Sequence, residues 1–248
     1  MTASPDDHRL ARRLATEAGA LLREVRRELA DATVPARKDA GDRRSQEFLA
    51  AELGRHRPGD AVLSEEALDD HARLSADRVW IIDPLDGTRE FGELGRPDWA
   101  VHVALWARGG LVAGAVALPE HGITFATPDL PPLPPPPAEP RVVVSRSRPP
   151  AIASPVAEAV GGRLVRMGSA GAKAMAVVSG DAEIYVHAGG QYEWDSAAPV
   201  AVAMAAGLHA SRIDGSPLRY NQPDLWVPDL IICRPEYAAK VLAVTAGN

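Results

Sequence analysis

The segment TPDLPPLPPPPAEP, residues 127–140, holds eight prolines. Proline lacks a backbone N–H and fixes φ, so this run supports neither a helix nor a central strand. The chain therefore divides into an N-terminal α+β domain over residues 1–127, a proline-rich linker over 128–140 and a C-terminal α/β domain over 141–248. Before the linker, Leu10, Leu14, Ala18, Leu21, Val25 and Leu29 recur at helical spacing and predict a long opening helix. A second helix is expected over 43–53, after a turn at Ala40-Gly41-Asp42, followed by a short strand in AVLSEE. Alternation from Trp99 to Trp106, a turn at Gly109-Gly110, the run Leu111 to Leu118 and GITFAT predict an antiparallel meander. Beyond the linker, strand patterns (RVVVS, RLVRM, AEIYVH, DLIIC) alternate with helical ones (SPVAEAV, SAGAKAMAVVS, DSAAPVAVAMAAG), which implies packed α/β layers.

A chain of 248 residues can bury a substantial core without covalent help. Its single cysteine, Cys233, excludes an intrachain disulfide and a thiolate metal site, and suggests a reducing, cytoplasmic compartment. The first residues place acid before base and have no apolar h-region, so they do not read as a signal peptide. No window offers the roughly 18 apolar residues of a membrane span. A net charge of −6 with interspersed Arg and Glu provides no basic stripe, so a nucleic-acid polymer is not an expected partner. A homodimer stays open.

The chemistry concentrates in WIIDPLDGTREF, Trp80 to Phe91. Asp83 and Asp86 follow an apolar run, with Pro84 breaking the strand between them, so the chain can turn both carboxylates toward one locus. Buried carboxylates need a positive partner. Oxygen ligands without neighbouring Cys or His favour Mg²⁺, with Mn²⁺ as a substitute. Glu65, Asp42 and Asp195 in EWDSAAP are further candidates for that locus, each expected at the end of an element. Two or three such ions would suit attack of water on a phosphate. Thr88 would orient or deprotonate that water, and Gly87 would let backbone amides approach a phosphate oxygen. Taken singly, each position has a plainer reading: an aspartate-capped turn, a solvated Glu65-Glu66 pair, an Asp195 N-cap. A haloacid-dehalogenase motif fits poorly, because its D-x-D spacing and early strand are absent.

Three separated motifs, SEE (Ser64 to Glu66), WIIDPLDGT and WDSAA, occur in an order that resembles the inositol monophosphatase superfamily of Mg²⁺-dependent, lithium-sensitive phosphatases. The resemblance implies an α/β/α/β/α layered sandwich of the inositol monophosphatase and fructose-1,6-bisphosphatase type. TREF after the second aspartate, with GSAGAKAMAV and YVHAGGQYEWDSAAP, is similar to the 3′(2′),5′-bisphosphate nucleotidase branch of CysQ type, and most of all to its actinobacterial members. By that resemblance Glu65, Asp83 and the Leu85 carbonyl would bind one metal, and Asp83, Asp86 and Asp195 a second. Asp42 would assist a third and, with Thr88, activate water. Gly87 and Thr88 would contact the scissile phosphate, while Ser145, Arg148, Gly168, Ser169, Lys173 and His187 would line the substrate pocket. Arg148 and Lys173 are the candidates for a second anion site.

The expected activity is Mg²⁺-dependent hydrolysis of the 3′-phosphate of 3′-phosphoadenosine 5′-phosphate by metal-activated water, giving AMP and phosphate, as a step of sulfate assimilation. A broad inositol monophosphatase or fructose-1,6-bisphosphatase activity is the alternative within enzymes. A non-catalytic, metal-dependent nucleotide sensor is the alternative outside them. A structural Ca²⁺ module would need a compact D-x-D-x-D-G loop, which is absent.

Overall fold

Helix α1 (Pro5–Glu28) begins where its sequence asks it to. Ser4 accepts from the Asp7 amide, Asp7 reaches back to the Ser4 amide at 3.0 Å, and Pro5 occupies the first turn. The computed structural model describes residues 3–246. In it α1 buries Leu10, Leu14, Ala18, Leu22 and Val25, so Leu22 rather than Leu21 carries the stripe through its centre.

The second helix departs from expectation. Helix α2 runs Val34–His56 without a turn at Ala40-Gly41-Asp42, capped by Thr33 and started by Pro35. Gly41 serves close packing instead: a Cβ there would lie 2.7 Å from the Phe91 ring and 2.9 Å from Leu85 Cδ2. Asp42 is consequently more than two turns inside a helix rather than at an element end.

Strands β1 (Ala61–Ser64), β2 (Arg78–Asp86), β3 (Ala100–Ala107), β4 (Gly110–Leu118) and β5 (Ile123–Ala126) form one sheet in chain order. Only β1 and β2 are parallel; the other neighbours run antiparallel. A second sheet takes the order β7-β6-β8-β10-β9, from β6 (Arg141–Ser145), β7 (Arg163–Met167), β8 (Ile184–Tyr192), β9 (His209–Ser211) and β10 (Trp226–Cys233). Helices α5 (Ala170–Ser179) and α6 (Glu193–Ala205) lie between the sheets, while α4 (Ala153–Val160) and α7 (Pro235–Thr245) cover the outer face of the second.

The layering follows from residues alternating across each strand. On β2, Trp80 and Ile82 join the α1/α2 core, whereas Val79 and Ile81 face α5 and α6. On β6, Val142 and Val144 meet α4 and α7, whereas Val143 faces inward. Both faces of these strands are covered, which is why they read as nearly continuous apolar runs. The result is the α/β/α/β/α sandwich. Its central core draws Leu63, Ile81 and Ala100 from one side of the proline segment and Val143, Met175 and Ile232 from the other. Leu130 and Leu133 of the segment itself pack against that core. Among the described residues no helix is long and apolar enough to cross a membrane.

Candidate active site

On a regular strand, residues three apart point to opposite faces. Asp83 and Asp86 escape that rule because β2 is bulged between them: Asp83 pairs with His102 and Asp86 with Ala100, so β3 has one residue fewer over the same span. Pro84 sits in the bulge, where no ladder hydrogen bond is lost. Both carboxylates thus turn to one side, where the first turn of α6 presents Asp195. Carboxylate oxygens of Asp83, Asp86 and Asp195 lie within 4.8 Å of one another.

Each carboxylate is held differently. Asp83 is fully buried; its Oδ1 accepts from the Leu85 amide at 3.0 Å, but Oδ2 has no hydrogen-bond partner. Burial, followed by the charges of Glu65, Asp86 and Asp195, pushes the Asp83 carboxyl well above the usual range. Burial would raise Asp86 as well, but His102, Lys173 and Ser169 together outweigh it and hold Asp86 below the usual range. Asp86 accepts from the amides of Ala170 at 3.1 Å and Gly171 at 2.6 Å, and from Ser169 Oγ, at the start of α5. Asp195 accepts from the Tyr192 amide at 2.7 Å, and burial with the Asp86 charge pushes it to about 6. Glu65, just past the end of β1, is pushed to about 7 by burial and by the Asp195 charge.

The donor set fits a hard divalent cation. It is all oxygen, it gathers more negative charge than its surroundings offset, and it leaves one buried carboxylate oxygen unpartnered. Asp42 approaches from α2. Thr88 Oγ1 donates to the Leu85 carbonyl at 3.1 Å and lies 3.4 Å from Asp42 Oδ1. Burial and the nearby Glu66 charge push Asp42 to about 7.

Next to this cluster a cleft of about 370 Å³ is lined by Arg89, Glu90, Ser145 to Arg148, Gly168, Ser169 and Lys173. It gathers Ser145, Arg148, Gly168, Ser169 and Lys173, all expected at the substrate. The Arg148 side chain is exposed and has no carboxylate partner among the described residues. Lys173 differs from its expected part: it is buried, and its Nζ donates to the Ser169 carbonyl and, at 3.2 Å, to the Gly168 carbonyl. It therefore holds the 168–169 loop, in which Ser169 adopts a φ of 49°. His187 does not line the cleft and instead pairs with the Gly190 carbonyl at 2.9 Å. A larger cleft of about 660 Å³, between α1 and residues 94–97, holds none of the candidate residues.

Sequence reading missed His102, and it placed Arg146 only within the SRSR run expected at the substrate, without its Glu90 partner. His102 is fully buried on β3, with Nδ1 3.1 Å from the Trp194 carbonyl and Nε2 3.1 Å from Asp86 Oδ2. Burial would lower its pKa, but the Asp86 charge outweighs that and raises it. A polar residue in an otherwise apolar strand was the available signal.

A family model described as the inositol monophosphatase family matches residues 7–130 and 139–246. A 3′-phosphoadenosine 5′-phosphate phosphatase of Mycobacterium leprae is 52% identical over 96% of this chain and 93% of its own length. Among solved structures, CysQ from Bacteroides thetaiotaomicron superposes with a TM-score of 0.77 at 26% identity, covering 92% of this chain and 97% of that one. Inositol monophosphatase II from Staphylococcus aureus gives 0.80 at 18% identity, covering 98% and 94%, a likeness of fold. With the bulged Asp83/Asp86 strand, the Asp195 helix and the layered sandwich all in place, the chain belongs to the inositol monophosphatase family.

Proposed function

We propose that this chain is a Mg²⁺-dependent phosphatase that removes the 3′-phosphate of 3′-phosphoadenosine 5′-phosphate, releasing AMP and phosphate in the cytoplasm. The observation that carries the reading is near-full-length identity of 52% to a phosphatase named for that substrate, supported by a carboxylate cluster beside a cleft that contains Arg148.

Glu65, Asp83 and the Leu85 carbonyl would hold one ion, Asp83, Asp86 and Asp195 a second, with Asp42 beside a third; Mn²⁺ would substitute. Bound there, the ions supply charge neutralisation for the attacking and leaving oxygens. The chain's own residues handle the proton. Thr88 Oγ1 takes a proton from the attacking water as its own passes to Asp42 Oδ1, 3.4 Å away. An Asp42 near 7 suits a base at neutral pH. The water oxygen then forms the new P–O bond, and the bond to the 3′-oxygen breaks without a covalent enzyme intermediate. Gly87 and Thr88 bear on the scissile phosphate, and Ser145 with Arg148 on the second one.

Asp86→Asn tests catalysis against mere sensing. An enzyme loses turnover by several orders of magnitude and still binds nucleotide; a wild-type chain that binds the nucleotide without releasing phosphate overturns the reading.

A further inference from the structure

We infer that Arg146, clamped between Glu90 and Glu93, sets the spacing between two phosphate positions and so selects bisphosphorylated substrates. The inference rests on the nucleotidase reading and deepens it. Arg146 Nε and Nη2 donate to Glu90 Oε1 at 3.1 and 2.7 Å. Nη1 and Nη2 reach Glu93 at 3.0 and 3.1 Å. Four bonds from a fork with five N–H groups leave little for a substrate anion. Arg148, two residues on, is free of such partners among the described residues, so the two arginines divide the work.

The clamp joins two segments that no backbone ladder connects. Glu90 and Glu93 belong to or adjoin α3 (Thr88–Gly92), which begins at Thr88, two residues after Asp86 of the carboxylate cluster. Arg26 pins that helix from behind, donating to the Glu90 carbonyl at 3.4 Å and to the Glu93 carbonyl. Arg146 leads the loop after β6, in which Ser145 Oγ accepts from the Arg148 amide at 3.2 Å and keeps its own hydrogen to donate. Gly168 completes the junction: a Cβ there would lie 2.4 Å from Glu90 Cδ, and its amide donates to Asp98 Oδ2 at 2.6 Å. One bidentate guanidinium therefore fixes the Ser145/Arg148 loop relative to Gly87 and Thr88. Planar fork geometry constrains orientation in a way that a lysine does not.

Arg146 acts as a positioning residue, and its test is a KM-against-kcat split. Arg146→Lys keeps the charge and loses the fork; Glu93→Gln removes one jaw at a half-exposed position. Each is assayed with Mg²⁺ on 3′-phosphoadenosine 5′-phosphate and on inositol 1-phosphate, with melting temperature as a check on folding. In Arg146→Lys the nucleotide KM rises about tenfold at nearly constant kcat, and the preference over inositol 1-phosphate falls by the same factor. In Glu93→Gln the nucleotide KM rises in the same direction. A nucleotide KM that falls in Glu93→Gln would make Arg146 a direct phosphate ligand and overturn the inference. Unchanged preference in both variants also overturns it. A wild-type chain with no nucleotide preference overturns the nucleotidase reading and the clamp together.

Discussion

His102 Nε2 lies 3.1 Å from Asp86 Oδ2 with both side chains buried, so an imidazole stands directly behind a candidate metal ligand. Its other nitrogen is fixed by the Trp194 carbonyl at 3.1 Å, next to Asp195 in sequence. One ring thus sits against Asp86 and against the peptide that precedes Asp195. Groups that orient ligands from behind typically carry about 10–100-fold in metal affinity. His102→Leu is expected to weaken Mg²⁺ binding by about that factor, measured by calorimetric titration of the metal alone. Unchanged affinity would make His102 a packing residue.

The proton path makes a separate prediction. Thr88→Ala removes the hydroxyl between Asp42 and the attacking water and should lower kcat about 10²–10⁴-fold, with melting temperature and Mg²⁺ affinity nearly unchanged. A loss below about fivefold would place the base elsewhere.

Metal-free stability should depend on pH with a definite sign. Glu65 and Asp42 stand at about 7 and Asp195 at about 6 in the folded chain, raised from 4.5 for Glu and 3.8 for Asp. Groups raised by folding stabilise fully below their unfolded values and lose that contribution as pH rises through the folded ones. The metal-free chain should therefore lose stability from this cluster between about pH 4 and 7. Mg²⁺ binds the ionised carboxylates, so its melting-temperature gain should be larger at pH 8 than at pH 5. Equal gains at both would contradict a cation at this cluster.

Away from the site, Asp7 ties three elements together. It caps α1, accepts from Arg57 Nη2 at 3.0 Å and from Arg78 Nη2 at 2.8 Å, and is buried. Asp7→Ala strands Arg57, while Arg78 keeps Asp60 at 2.9 Å; the two arginine side chains are 25% and 33% exposed. Because each keeps some solvent contact, the cost is expected near the lower end of about 3–5 kcal/mol, read by urea unfolding. A cost under about 1 kcal/mol would show the network to be solvated.

The parts legible in the sequence were those governed by local pattern. The stripe of α1, the β3/β4 turn at Gly109-Gly110 and the three acidic motifs all depend on neighbours in the chain. Ala40-Gly41-Asp42 misled because glycine signals a turn locally, whereas Gly41 is needed by Phe91 and Leu85, more than forty residues away. Lys173 read as an anion ligand because sequence shows its charge but not the carbonyls of Gly168 and Ser169 that occupy it. The Glu90–Arg146 pair was invisible for the same reason: each partner lies on its own side of the proline segment, and only the fold brings them together.

The most direct test is phosphate release, with Mg²⁺ or with a chelator, from 3′-phosphoadenosine 5′-phosphate, inositol 1-phosphate and fructose 1,6-bisphosphate in parallel. The account predicts rapid release from the nucleotide, slow release from the other two, and none with the chelator or with lithium at inhibitory concentration. Comparable rates on all three, or release that survives metal removal, would contradict it.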